Sequence, residues 1–393
     1  MQRLIMISSF LFLPLLFSCQ SNNGYSNKSE ILASSLYLET HFIKPVSFAV
    51  ESEQDIFMLD DEMRSMVENE LNNAHNAKEK AAKLLKHLFS KEKISISYSN
   101  TANLTARDTY HSHLANCISL TIMAYALAEE ANLNINFQQV KVPEYWIRNG
   151  QYNFLTGHVN LIITPENQLS KYVVYGNNNI QIDFDPYTVK QNFPKKIIQK
   201  NTVLAMFYNN KGGQALVDKE YDVAYQYFKA ATFSDKYFSP AWGNLAVLYR
   251  LTNHLKMAEK TYRYAIQINP NNLTALTNLA ILLRKQQHNI EADIIEKRLL
   301  AKRNKNPYYH ALLADEAYFN YDYQQALKHY QEAIKLNHNI HEIYFGMAKV
   351  YYQMNKLTNA KKAMQRALKL NKEKSTGYQY LAKLNFLKAE LTH

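Results

Sequence analysis

Between Cys117 and Asp185 the chain carries three groups of side chains whose types could do chemistry together: a thiol, an imidazole and two carboxylates. Asn116 is a good N-cap residue, so Cys117 is expected in the first turn of a helix. There a thiol meets the positive end of the helix dipole and backbone N–H groups that have no partner in the helix. Both favour thiolate, the nucleophilic form. The same N–H groups could receive an oxyanion once sulfur attacks a carbonyl. The alternative is a small buried thiol that only packs. Further along, the stretch 157–162 alternates, with Val159 and Leu161 on one face and His158 and Asn160 on the other. In 180–185 the apolar residues share one face and Asp183 and Asp185 the opposite one. Read as structure alone, a strand histidine and a terminal strand aspartate are commonly a hydrogen-bonded residue and a turn residue. Together with the thiol they form the set needed for nucleophile, base and orienter.

The elements that must position these residues are helices followed by strands. Apolar residues at helical spacing from Met63 to Phe89 predict helix over 60–90, and 94–98 alternates as a short strand. The run after Cys117, apolar on almost every side, predicts a buried helix. Strands are expected at 136–142, 157–164, 171–175 and 180–184, the last two joined as a hairpin by the turn residues 176–179. Helices first and antiparallel strands after make an α+β layout. His111 and His113 read as loop histidines, and no spacing argues for a metal site. No cofactor is expected.

The order Cys, His, Asp, with the cysteine opening a buried helix and the others on later strands, resembles the transglutaminase-like superfamily. More narrowly it resembles bacterial lipoproteins that join such a papain-like cysteine domain to tetratricopeptide repeats. The matching residues are Asn103-Leu104-Thr105-Ala106, Asn116-Cys117-Ile118-Ser119-Leu120, Phe137-Gln138-Gln139-Val140, Val142-Pro143 with Trp146, His158-Val159-Asn160, and Val173-Val174 with Ile182-Asp183-Phe184-Asp185-Pro186. The resemblance implies Cys117 as nucleophile, His158 as base and Asp183 as orienter, with Asp185 and Asn160 as auxiliary candidates. Ala115 stands where relatives often carry glycine.

At the N-terminus Met1-Gln2-Arg3 and an apolar run to Phe17 have the form of a signal peptide, closed by Leu16-Phe17-Ser18-Cys19. That closing stretch resembles a bacterial lipobox, which implies lipid on Cys19 and anchoring in the cell envelope, with Gln20 after the cysteine pointing to the outer membrane. An ordinary secretory signal with a chance cysteine is the rival reading. If Cys19 carries lipid, Cys117 is the one thiol left of the two cysteines, and no internal disulfide can staple the fold.

The net charge of +11 lies wholly in the second part: residues 1–202 hold 18 Lys and Arg against 19 Asp and Glu, residues 203–393 hold 27 against 15. A basic surface suits acidic peptides or anionic lipid, and no nucleic-acid motif accompanies it. From 205 the sequence repeats every 34 residues, with small residues at Ala224, Ala258, Ala292, Ala326 and Ala360 and at Gly212, Ala246, Ala280, Ala314, Ala348 and Ala382. Large residues recur at Phe228, Tyr262, Tyr330 and Met364, and Glu296 breaks that series. Trp242, Leu245, Tyr249, Ala258, Tyr262, Ala265 and Pro270 match the tetratricopeptide pattern. Five repeats follow, 205–238, 239–272, 273–306, 307–340 and 341–374, with a capping helix in 375–393. Such solenoids offer a groove, here expected to be lined by Arg250, Arg284, Tyr318, Lys349 and Tyr352, which suits an acidic or extended peptide. The same positions could be plain solvated helix.

The expected organisation is a signal peptide with lipobox cysteine (1–19), a tether and N-terminal segment (20–54), a transglutaminase-like domain (55–190), a linker (191–204), the five repeats (205–374) and the cap (375–393). The expected activity is attack of Cys117 on an amide bond of a protein or peptide, giving a thioester that water or an amine resolves. The alternative is a non-catalytic scaffold whose repeats bind a protein partner.

Overall fold

A computed structural model of the chain describes residues 33–46, 48–89, 96–142, 146–149, 152–155, 157–164, 180–182, 193–371 and 374–390. The chain up to Glu39 is one unit, in which the Leu36 N–H closes a turn on the Ala33 carbonyl at 3.0 Å. From Thr40 onward the chain forms the second unit, which holds all the elements below.

The first elements are short helices, each started by a side chain that accepts an otherwise unpaired N–H. Ser52 and Asp55 form a reciprocal capping box at α1 (Glu53–Phe57), and Asp60 caps α2 (Asp61–Met66). The single long helix expected over 60–90 is instead broken. After α2 the backbone widens into a π-helical turn, Val67–Leu71, and restarts as α3 (Ala77–Phe89). The Asn-rich sequence between them competes with the helix for backbone hydrogen bonds: the Asn76 side chain takes the Glu79 N–H at 3.0 Å.

A parallel pair, β1 (Ser97–Tyr98) and β2 (Leu114–Ala115), flanks α4 (Ala106–Ser112), and α5 (Cys117–Glu130) follows. The main sheet is antiparallel in the order β7-β6-β3-β8, built from β3 (Ile135–Val140), β6 (His158–Ile163), β7 (Ile180–Ile182) and β8 (Lys195–Ile198). A separate hairpin pairs β4 (Trp146–Asn149) with β5 (Tyr152–Leu155). Neither β8 nor this hairpin is expected from the sequence, whereas β3, β6 and β7 fall within the expected strands. The strand 171–175 and the turn 176–179 lie outside the described residues.

Phe137 pairs with Leu161, and Leu161 with Ile182, so these side chains share the face of the sheet that α5 covers. The ring of Phe137 stacks on Tyr125 of α5, 4.2 Å between centroids. Ile118, Leu120, Met123 and Leu127 complete this core from the helix side.

The core does not stop where the repeats begin. Helix α6 (Lys200–Val217) inserts Val203, Phe207 and Tyr208 into it. The stretch 191–204 is therefore not a linker: β8 pairs with β3, and Lys200 already starts α6. The segment before α1 is no loose tether either, from Thr40 on. Phe42 stacks on Tyr225 (4.7 Å) and Phe48 meets Tyr227 edge-on (5.2 Å). The Glu51 carboxylate takes the Tyr227 hydroxyl and the Lys211 ammonium, each at 3.0 Å, while its carbonyl takes the Tyr208 hydroxyl at 2.6 Å. These aromatic contacts are too sparse in sequence to show a period, yet each fills a slot on the first helical hairpin.

Paired helices follow: α6 with α7 (Tyr221–Ser234), α8 (Ser239–Leu251) with α9 (Leu255–Ile268), α10 (Leu273–Lys285) with α11 (Asn289–Arg303), α12 (Pro307–Phe319) with α13 (Tyr323–Leu336), and α14 (His341–Gln353) with α15 (Leu357–Leu370). Helix α16 (Lys374–Glu390) packs on α15. Ala224, Ala258, Ala292, Ala326 and Ala360 are fully buried, as close helix approach requires. Between the two helices of each pair one residue adopts positive φ: Lys219, Asn253, Gln287, Tyr321 and Asn355, at φ 55–65° and at the same 34-residue spacing. None is glycine, so each turn is held in the left-handed region by its flanking helices. Ala382, which continues the small-residue series in α16, is exposed because no further hairpin covers it.

Candidate functional site

Asn116 caps α5 as its sequence position implies, its side-chain oxygen accepting the Ser119 N–H at 2.8 Å. The cap is itself held by a buried hydrogen-bond chain. The Asn116 amide donates to Asn103 Oδ1 (3.3 Å), and the Asn103 amide donates to the Phe207 carbonyl of α6 (2.9 Å). The Ser119 hydroxyl donates to the Ala102 carbonyl (2.7 Å) and accepts the Leu104 N–H (2.8 Å). Asn103, Asn116 and Ser119 are all buried, so every one of these groups would be costly unpaired. Thus a helix of the first repeat pair fixes, through two asparagines, the start of the helix that carries Cys117.

Cys117 is half-buried at that start. Its Sγ lies 3.9 Å from the carbonyl oxygen of Gly157, to which the thiol donates. One turn on, the Thr121 hydroxyl lies 3.2 Å from the Val159 carbonyl. The N-terminus of α5 is thereby pinned against the start of β6, and the thiol sits one peptide unit from the His158 backbone. The His158 side chain is buried on the strand face it shares with Asn160, Val140 and Gln138, opposite to Val159 and Leu161. Gln138 Oε1 there is buried with no hydrogen-bond partner among the described residues. Asp183 and Asp185 lie outside the described residues, directly after β7, the neighbour of β6. Cys19 lies outside them as well.

A titratable cluster that sequence reasoning passed over sits beside α4. His87, expected only as helix surface, is buried, with Nδ1 3.0 Å from Glu70 Oε2 and Nε2 3.4 Å from the Tyr110 hydroxyl. Burial, with Glu62, Asp60 and Glu70 nearby, pushes the Tyr110 phenol up to about 12. His111, expected in a loop, is in the last turn of α4, with Nε2 2.5 Å from Asp60 Oδ2. Partial burial of Asp60 works against its ionised form. The His111 hydrogen bond and the Met63 N–H outweigh that and hold the carboxyl below its usual range. His113 ends α4 at φ 56°. Among the described residues no three His, Cys, Asp or Glu side chains converge as a metal would need. No described helix is long and apolar enough to cross a membrane.

The groove positions differ from one another in what they face. Arg284 is paired inside its own repeat, with Glu296 (2.6 Å) and with Asp293. That is why Glu296 replaces the large residue of the other repeats: its carboxylate neutralises a guanidinium instead of filling space. Lys349 lies 3.6 Å from Asp315 and 5.1 Å over the Tyr318 ring. Tyr352 is partly exposed and meets Phe386 edge-on at 5.9 Å. Arg250 forms no ion pair among the described residues, and its Nε has no hydrogen-bond partner.

Tetratricopeptide-repeat models match residues 239–272 and 341–374, and a further TPR-repeat model matches 322–355. The C-terminal part is a tetratricopeptide-repeat solenoid. Among curated proteins the chain is similar to Protein O-mannosyl-transferase TMTC3 of Homo sapiens, 28% identical over 207 residues, covering 44% of this chain and 20% of that one. The chain thus spans about a fifth of the length of this relative. Among solved structures it is similar to the pilF protein of Pseudomonas aeruginosa (16% identity, 49% of this chain and 90% of that chain, TM-score 0.29). It is also similar to YrrB, described as a TPR protein with an unusual peptide-binding site (14% identity, 44% and 90%, TM-score 0.24).

Proposed function

We propose that the chain is a protein-interaction scaffold whose repeats hold a protein or extended peptide along the row of first helices, α8, α10, α12, α14 and α16. The observation that carries this is the repeat solenoid itself, together with the aromatic and cationic side chains that recur on that row: Arg250, Tyr318, Lys349, Tyr352 and Phe386. A photo-crosslinking residue placed at Tyr318 or Tyr352 is expected to trap a partner that the same residue at Lys297, exposed on the second-helix side, does not. Equal trapping at all three positions removes the groove reading.

A second reading is favoured by the contact between the Cys117 thiol and the Gly157 carbonyl at a capped helix N-terminus. In this reading the segment 55–190 is a transglutaminase-like domain. The Cys117 thiolate attacks an amide carbonyl, His158 protonates the departing amine, and Asp183 orients the imidazole. Water or an amine then resolves the acyl-thioester, while the repeats deliver the substrate. In a Cys19→Ser background, Cys117→Ala is expected to abolish labelling by a thiol-reactive acyl probe, and undiminished labelling removes the nucleophile. Lipid on Cys19 and an outer-membrane location facing the periplasm belong to the same proposal, supported by the lipobox-like closing stretch. Loss of radiolabelled palmitate from Cys19→Ser tests them.

A further inference from the structure

Repeats two and four bury the same tyrosine in different electrostatic company. In the fourth repeat Tyr330 is 1% exposed, and its hydroxyl donates to Asp315 Oδ1 at 2.6 Å. The same carboxylate lies 3.6 Å from the Lys349 ammonium of the next repeat. One acid inside the row thus answers a buried hydroxyl and a cation together. Two repeats earlier, Tyr262 holds the place of Tyr330 and is fully buried, but Val247 holds the place of Asp315. The Tyr262 hydroxyl faces the guanidinium of Arg250, and two donors turned towards each other cannot satisfy one another. Neither the hydroxyl nor Arg250 Nε has a hydrogen-bond partner among the described residues, and Arg250 forms no ion pair among them. Elsewhere on the row the cations are compensated from within, Arg284 by Asp293 and Glu296 and Lys349 by Asp315.

We infer that Arg250 and Tyr262 form a carboxylate-binding subsite in the second repeat, which takes an acidic side chain of an extended peptide lying along the first helices. A carboxylate only accepts hydrogen bonds, so it can satisfy the hydroxyl and the guanidinium at once, as Asp315 does for Tyr330 and Lys349. The excess of cations in residues 203–393, 27 against 15 acidic residues, favours an acidic segment over a neutral one. The row continues on both sides of Arg250, through α6 before it and α10 after it, so a bound chain runs past the subsite and offers a side chain there. This subsite rests on the scaffold reading above.

The test uses the full chain and three fluorescent peptides, read by anisotropy. One is a capped peptide of alternating glutamate and alanine, one its glutamine counterpart, and one the glutamine peptide with a free C-terminal carboxylate. The capped glutamate peptide is expected to bind about tenfold more tightly than the capped glutamine peptide. Arg250→Gln and Tyr262→Phe, which keeps the ring in place, should each remove most of that difference. Equal binding of the two capped peptides, or an advantage that survives both substitutions, overturns the subsite and leaves the groove reading standing. Tighter binding of the free-acid glutamine peptide than of the glutamate peptide overturns the side-chain assignment in favour of a chain end. Binding of none of the three overturns the subsite and the groove together.

Discussion

In the α+β body, buried polar side chains reach partners far away in sequence. Asn103 bonds to Phe207 across 104 positions, and Thr121 to Val159 across 38. In the repeats the buried residues are mostly small or aromatic, and their partners lie within the same repeat or the next one. Trp242 bonds to Lys236 and Tyr330 to Asp315. The body is therefore a structure whose loss at one point should be felt throughout. The repeat stack is one whose damage should stay close to the mutated pair. The two meet in α6, which belongs to both.

The comparison breaks most readily at that helix. Phe207 is fully buried in the shared core, so Phe207→Ala is expected to cost about 3–5 kcal/mol. Hydrogen exchange should show protection lost in α5 and α7 alike. Met364→Ala, near the far end of the stack, should loosen α14 to α16 and leave α5 untouched. Loss of protection in α5 after the second substitution would erase the distinction.

High pH gives the next effect. Burial raises the phenols of Tyr110, Tyr125 and Tyr208 from 10 to about 12, so the folded body keeps them protonated more strongly than the unfolded chain does. Their contribution is complete below pH 10 and is lost as pH rises through about 12. Stability measured by denaturant titration should fall across that window, and Tyr208→Phe should flatten the fall.

Within the stack, Gly346 faces the hydroxyl end of Tyr330 with no room for a Cβ. Gly346→Ala should cost about 1–3 kcal/mol through overpacking. Thermal unfolding of Gly346→Ala with Tyr330→Phe tests the cause, because removal of the hydroxyl should recover part of the loss. In the body, Asn116→Ala should cost about 1 kcal/mol for the cap. It should also move the alkylation–pH profile of Cys117 upward, because the helix start no longer favours thiolate. An unchanged profile would show that the cap is structural only. The smallest effect is a gain: Tyr321 holds φ 62° while largely exposed, and Tyr321→Asn should stabilise by about 0.5–1 kcal/mol.

How much was legible from residues alone differs between the two regions for a physical reason. The hairpins could be read because the spacing of Ala224, Ala258, Ala292, Ala326 and Ala360 reports contacts that repeat locally. The N-cap at Asn116 was equally readable, because a cap is a three-residue matter. The strand β8 was missed: Lys195-Lys196-Ile197-Ile198 is short, and three of its four residues are exposed, so it shows no alternation. The His87–Glu70–Tyr110 cluster was missed because its members lie on separate helices, and nothing in their spacing announces that they meet. Arg284 was expected to face a ligand, whereas its partners Asp293 and Glu296 stand on the adjoining helix. The irregular Glu296 was the visible signal of that pairing.

The sequence by itself determined the helical repeat, its 34-residue register, the capped helix that Cys117 opens and the side of β6 on which His158 lies. These depend on hydrogen bonds and packing within a few turns of chain, which residue order encodes directly. Only the tertiary structure decided that α6 is shared between body and stack, that two buried asparagines tie it to the Cys117 helix, and which cations of the row are already neutralised. Those outcomes depend on which distant side chains become neighbours once water is excluded, and no local period carries that information.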